Sequence, residues 1–153
     1  MISLIEFNPK ITAWLYKISG PLARIALFVV FFWFCALKLF DSSPANPLVA
    51  SLLEKTLPFM TFEVFIVCLG IYEMVIGVLF LIPKLEQLAF LVWIPHIIMT
   101  TGPLLLLPEM AWSGFLVPTL EGQYIIKNLL IAALVVSLAA GVYKRPAVSA
   151  STL

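Results

Sequence analysis

Charge is what this chain has least of. Lys, Arg, Asp and Glu make up 11% of its 153 residues, where a soluble domain carries about a quarter. Histidine occurs once, so a bis-histidine haem site is excluded. No His/Cys set has the count or spacing of a zinc site. The two cysteines, Cys35 and Cys68, lie inside apolar runs, whereas a disulfide framework would place them in loops. Net charge of +1 leaves no basic excess for nucleic acid. The alternating polarity of membrane β-barrel strands is missing, as are a nucleophile elbow, a phosphate loop and a dinucleotide fingerprint.

What is present is apolar: 63% of the residues are hydrophobic and mean hydropathy is +1.12. Four runs, about 22–40, 62–82, 88–107 and 125–142, approach the ~20 residues that cross a bilayer as a helix. Backbone polar groups in lipid must be satisfied within the chain, and with barrels excluded only helices do this. The expected fold is all-α: an integral membrane four-helix bundle with short interfacial helices, one domain over 1–153. The first run is too long for a signal peptide, and Lys38 interrupts its end.

Ahead of that run, Ile11, Trp14, Leu15 and Ile18 follow helical spacing with Lys10 and Lys17 off their face. This predicts an interfacial helix over 1–21, its cations toward lipid phosphates and its end at Gly20-Pro21. Arg24 is expected to snorkel to the headgroups. A second interfacial helix is expected over 48–56. Pro95 and Pro103 predict kinks in the third span. Trp112 and Phe115 suit a membrane interface. Lys10, Lys17, Arg24, Lys84, Lys144 and Arg145 fall on one side of an even number of spans. The positive-inside rule then places both termini in the cytoplasm.

The polar residues within the apolar runs are the candidate site. Glu63, Gly70, Glu73 and Gly77 fall within roughly 80° of one another on a helix, an acidic and small stripe that a neighbour can approach closely. By residue count, Lys38, Glu63 and Lys127 lie within a turn of the outer ends of their spans. They form an outer-layer charge cluster, joined by Tyr124, Glu121 and Asp41, or else each snorkels separately to water. Glu73 and His96 lie near mid-span at one depth, with Thr100 on the face of His96. A carboxylate there is costly unless paired, hydrogen-bonded or protonated. Two readings stay open: a polar clasp pinning two helices, or a site that handles protons or a quinone. On the depth argument Glu73 bonds to His96 or Thr100, and Glu63 serves the lysines.

The order of these features resembles a known family. An aromatic run, Phe31-Phe32-Trp33, leads to Lys38. Gly70, Glu73 and Gly77 follow, then His-Ile-Ile-Met-Thr-Thr-Gly-Pro from His96 to Pro103, Pro108 and Trp112. Glu-Gly-Gln-Tyr-Ile-Ile-Lys-Asn from Glu121 to Asn128 opens the fourth span and is the most specific piece. The pattern is similar to the DoxX-like family of small four-span bacterial inner-membrane proteins, including its RclC/YkgB-type members, and covers the chain from Arg24 onward. The first outer connection is much shorter than in the RclC type. Lys38, Glu73 and Lys127 match the charged positions of the family pattern. The resemblance implies an accessory subunit that supports membrane redox chemistry or contacts a quinone, with a membrane or redox partner protein, rather than a stand-alone enzyme. The alternative is a non-catalytic component: an assembly factor, a small-molecule conduit or an oxidative-stress protein. No cofactor is expected within the chain, a quinone being the one the reading allows. No metal is expected, and the partner in either case is the lipid bilayer.

Overall fold

The computed structural model describes residues 8–40 and 43–141. Helix α1 spans Pro9–Leu39 and contains one wide π-helical turn, Val29–Trp33. Helix α2 covers Asn46–Thr56, α3 Phe62–Leu81 and α4 Glu86–Leu106. A short α5, Pro108–Ala111, leads into an antiparallel pair, β1 (Trp112–Gly114) and β2 (Val117–Pro118). Helix α6, Leu120–Ala139, follows. Helices α1, α3, α4 and α6 are long and apolar enough to cross a membrane. The chain is all-α in class and a multi-pass membrane protein.

The caps explain where these helices start. Asn8 accepts a hydrogen bond from the Lys10 backbone N–H at 3.0 Å, and Pro9, which has no N–H to leave unsatisfied, takes the first helical position. Thr119 accepts from the Gly122 N–H at 3.1 Å, so α6 begins before the apolar run that marks it in the sequence.

The expected interfacial helix ending at Gly20-Pro21 is not a separate element. The helix continues through Pro21 to Leu39, and residues 1–7 of that expectation lie outside the described residues. Proline removes one backbone hydrogen bond, that to the Lys17 carbonyl, yet Gly20 just before it and Ala23 and Leu27 beyond it are buried against the bundle. Packing on both sides of the proline keeps the helix running.

One core joins the four long helices. Ala23, Leu27 and Phe31 of α1 pack with Ile76 and Phe80 of α3, Ala89 and Trp93 of α4, and Val135 and Leu138 of α6. Since lipid is as apolar as these side chains, close fit rather than water exclusion holds such a bundle. The fit is closest along the glycine stripe of α3. A methyl group on Gly77 would stand 3.2 Å from the Phe31 Cβ and the Phe32 backbone nitrogen; one on Gly70 would stand 2.9 Å from a Leu39 methyl. These contacts also set the register of the two antiparallel helices. Leu39, the last residue of α1, lies level with Gly70, so α1 ends about 12 Å short of where α3 begins, at ~1.5 Å per residue.

The space beyond the end of α1 is taken by α2, whose Lys55 ammonium donates to the Leu106 carbonyl in the last turn of α4. The connection from α4 to α6 is held from within. The Trp112 indole donates to the Leu104 carbonyl at 3.0 Å and the Thr119 N–H to the Ala111 carbonyl at 3.0 Å. Phe115 and Leu116 stand exposed at the hairpin tip.

Candidate functional site

Three helices converge on one carboxylate. Glu73 of α3 is 3% exposed, and its oxygens accept from the Lys38 ammonium of α1 at 2.7 and 2.6 Å. His96 Nε2 of α4 lies 2.8 Å from Oε1 of the same carboxylate. The Cys35 thiol, one turn before Lys38, is within hydrogen-bonding reach as well. A carboxylate accepts only, so beside Lys38 the His96 Nε2 carries a proton and donates it. Nδ1 is buried and has no hydrogen-bond partner among the described residues, as is the case for the indole nitrogen of Trp93 one turn earlier. The Phe31 ring packs edge-on to the imidazole, 5.2 Å between centroids.

Pro95 leaves the Leu91 carbonyl without its helical donor. One residue on, the Tyr72 hydroxyl donates to the Val92 carbonyl, and the His96 backbone N–H is within reach of its oxygen. Tyr72→Phe is expected to destabilise the bundle by roughly 1 kcal/mol, the scale of hydrogen bonds inside membranes. Urea or SDS unfolding of the two proteins in mixed micelles measures it; no difference would mean that this bond adds nothing to the joint between α3 and α4.

The expected pairing of Glu73 with His96 is present, but the expected layering is not. Lys38 does not join Glu63 and Lys127 in an outer cluster; it bonds to Glu73. The reason is register: a span counted over 22–40 puts Lys38 at the membrane edge, whereas α1 starts at Pro9 and ends level with the middle of α3. Glu63 is exposed in the first turn of α3, favourable for an acid at a helix N-terminus, and makes no ion pair among the described residues. Lys127 is exposed and lies over the Tyr124 ring at 4.9 Å. Glu121 is exposed, and Asp41 falls outside the described residues. The Thr100 hydroxyl turns back to its own helix, donating to the His96 carbonyl at 3.0 Å, and does not reach Glu73. Both cysteines are free thiols, Cys35 facing inward and Cys68 outward.

A second buried pair was not expected. Arg24 forms an ion pair with Glu86 and donates to the Phe80 carbonyl at 3.0 Å, tying α1 to the turn between α3 and α4. Snorkelling is therefore not its role. The signal was available, since Glu86 opens the third span just beyond a tight turn and its side chain is 4% exposed. Arg24→Met is expected to cost about 3 kcal/mol, because it leaves a buried carboxylate without its cation. Thermal unfolding in detergent measures it, and a loss below about 0.5 kcal/mol would mark the pair as dispensable.

In comparisons with known proteins, the chain matches no family model, no curated protein and no solved structure.

Proposed function

We propose that this chain is a DoxX-like protein of the bacterial inner membrane, both termini cytoplasmic, and an accessory subunit that supports redox chemistry at a membrane quinone. The observation that carries the reading is the His96 imidazole: anchored by Nε2 to the Lys38–Glu73 pair, with Nδ1 buried and without a hydrogen-bond partner among the described residues. Oxidation of a quinol releases two electrons and two protons. The electrons would pass to a partner enzyme; His96 would take up one proton while Glu73 stabilises the resulting imidazolium, and the second proton would leave to solvent.

The test uses His96→Gln, whose amide keeps a donor for Glu73 but offers no base. The purified full-length protein is titrated with a short-chain quinol, and binding is followed by native mass spectrometry and quinol absorbance. Wild type is expected to bind and His96→Gln to lose at least tenfold in affinity, with its fold intact. No binding by wild type, or equal binding by both, would overturn the reading.

One observation favours a second reading, a non-catalytic component such as an assembly factor, conduit or stress protein. The Glu73 carboxylate already has donors from Lys38, His96 and Cys35, as a purely structural clasp would. On that reading His96→Gln changes stability and nothing else.

A further inference from the structure

We propose that the first turns of α1, Pro9–Gly20, seat in the headgroup layer and bind anionic phospholipid through Lys10 and Lys17. This inference stands apart from the quinone reading.

Length is the first argument. At ~1.5 Å per residue the 31 residues of α1 extend about 46 Å, against a hydrocarbon core of ~30 Å. The Arg24–Glu86 pair and the Arg24–Phe80 bond place Arg24 beside the end of α3, so the surplus is what precedes it.

The second argument is the surface of that surplus. Ile11, Trp14 and Leu15 are exposed, and at ~100° per residue they share one stripe with exposed Leu22, Ile25 and Val29. One unbroken apolar stripe thus runs from the bundle's lipid-facing side to the start of the helix. Lipid covers its upper part, and the lower part continues it.

Charge supplies the third argument. Lys10, Lys17 and Arg24 are spaced by seven, two turns each, and lie along one line beside the apolar stripe. Arg24 finds Glu86 within the chain. Lys10 and Lys17 are exposed, and neither makes an ion pair among the described residues. Phosphates at the depth where the apolar stripe ends supply the anions that the described residues do not.

The experiment compares dioleoylphosphatidylglycerol with dioleoylphosphatidylcholine. Each is titrated into the full-length protein in a neutral detergent, with bound lipid counted by native mass spectrometry and Tm recorded. Wild type is expected to retain phosphatidylglycerol preferentially and to gain Tm from it. The double variant Lys10→Gln/Lys17→Gln is expected to bind it about thirtyfold more weakly, from two surface cations, while matching wild type in phosphatidylcholine. Lys84→Gln, at the neighbouring turn, is expected to keep the preference. Equal binding of the two lipids by wild type would overturn the proposal, as would a preference that survives in the double variant or vanishes in Lys84→Gln. If the double variant instead loses a co-purifying acidic protein and wild type shows no lipid preference, the stripe serves a protein, and the proposal is likewise wrong.

Discussion

Lys38→Met is expected to destabilise the bundle by about 3–5 kcal/mol, the largest effect of any surface-neutral substitution in the chain. The change removes the ammonium that bonds both oxygens of Glu73 and leaves a carboxylate 3% exposed among α1, α3 and α4. His96 and Cys35 still reach it, but the cation that bonds both of its oxygens is gone. Glu73→Gln should cost less than Lys38→Met. The stranded cation ends a long flexible stem near the last turn of its helix and can turn toward water. The double variant Lys38→Met/Glu73→Leu should recover much of the loss, since replacing both members of a buried pair by apolar groups is often nearly neutral. Reversible unfolding in SDS mixed micelles, followed by circular dichroism, gives these values and that of Glu73→Leu alone, which closes the cycle. Two mild single variants with no coupling between them would show that the pair contributes little.

Gly122→Ala is expected to cost about 3 kcal/mol, the upper end for overpacking. A Cβ on Gly122 would run into the backbone carbonyl of Ala111, which already accepts from the Thr119 N–H. Backbone on one side and a capped helix start on the other leave nothing flexible to give way. Gly70→Ala is the useful contrast, because its closest neighbour is the end of the Leu39 side chain at 2.9 Å, which can change rotamer. A cost below about 1 kcal/mol is expected there. Tm of both variants, with proteolysis of the connection between α4 and α6, separates them. Equal losses would mean that Gly122 has more room than its neighbours imply.

The four spans were legible because lipid leaves helices no alternative and apolar runs mark them plainly. The glycine stripe was legible too: Gly70 and Gly77 predict a close neighbour, and α1 is there. So was the Glu73–His96 bond, from equal depth on adjacent helices. What failed was every argument resting on the exact level of α1. Gly20-Pro21 reads as a stop, yet burial of Gly20 and Ala23 overrides it. Once α1 is taken to begin at 22, Lys38 lands at the membrane edge and Arg24 in the headgroups, and both then lose their true partners. Helical periodicity fixes the face of a residue but not its axial offset from the next helix. That offset comes from packing between distant residues, here Gly70 on Leu39 and Gly77 on Phe31.

The π-helical turn Val29–Trp33 has a consequence for insertions and deletions. Such a turn holds one residue more than an α-turn, so it acts as a phase shifter along α1. Everything before it, the core contacts of Ala23 and Leu27 included, keeps one angular setting. Everything after it, Cys35 and Lys38 included, is dialled round by about one residue, ~100°. Deleting a single residue from this apolar stretch would leave hydropathy and length almost untouched, while the helix relaxed to uniform α. Lys38 would then keep its line to Glu73, because the residue removed is the extra one that the turn absorbs. Straightening the turn to uniform α with no residue removed would instead rotate Lys38 by ~100° and take the charge pair apart, and a hydropathy profile would register no damage.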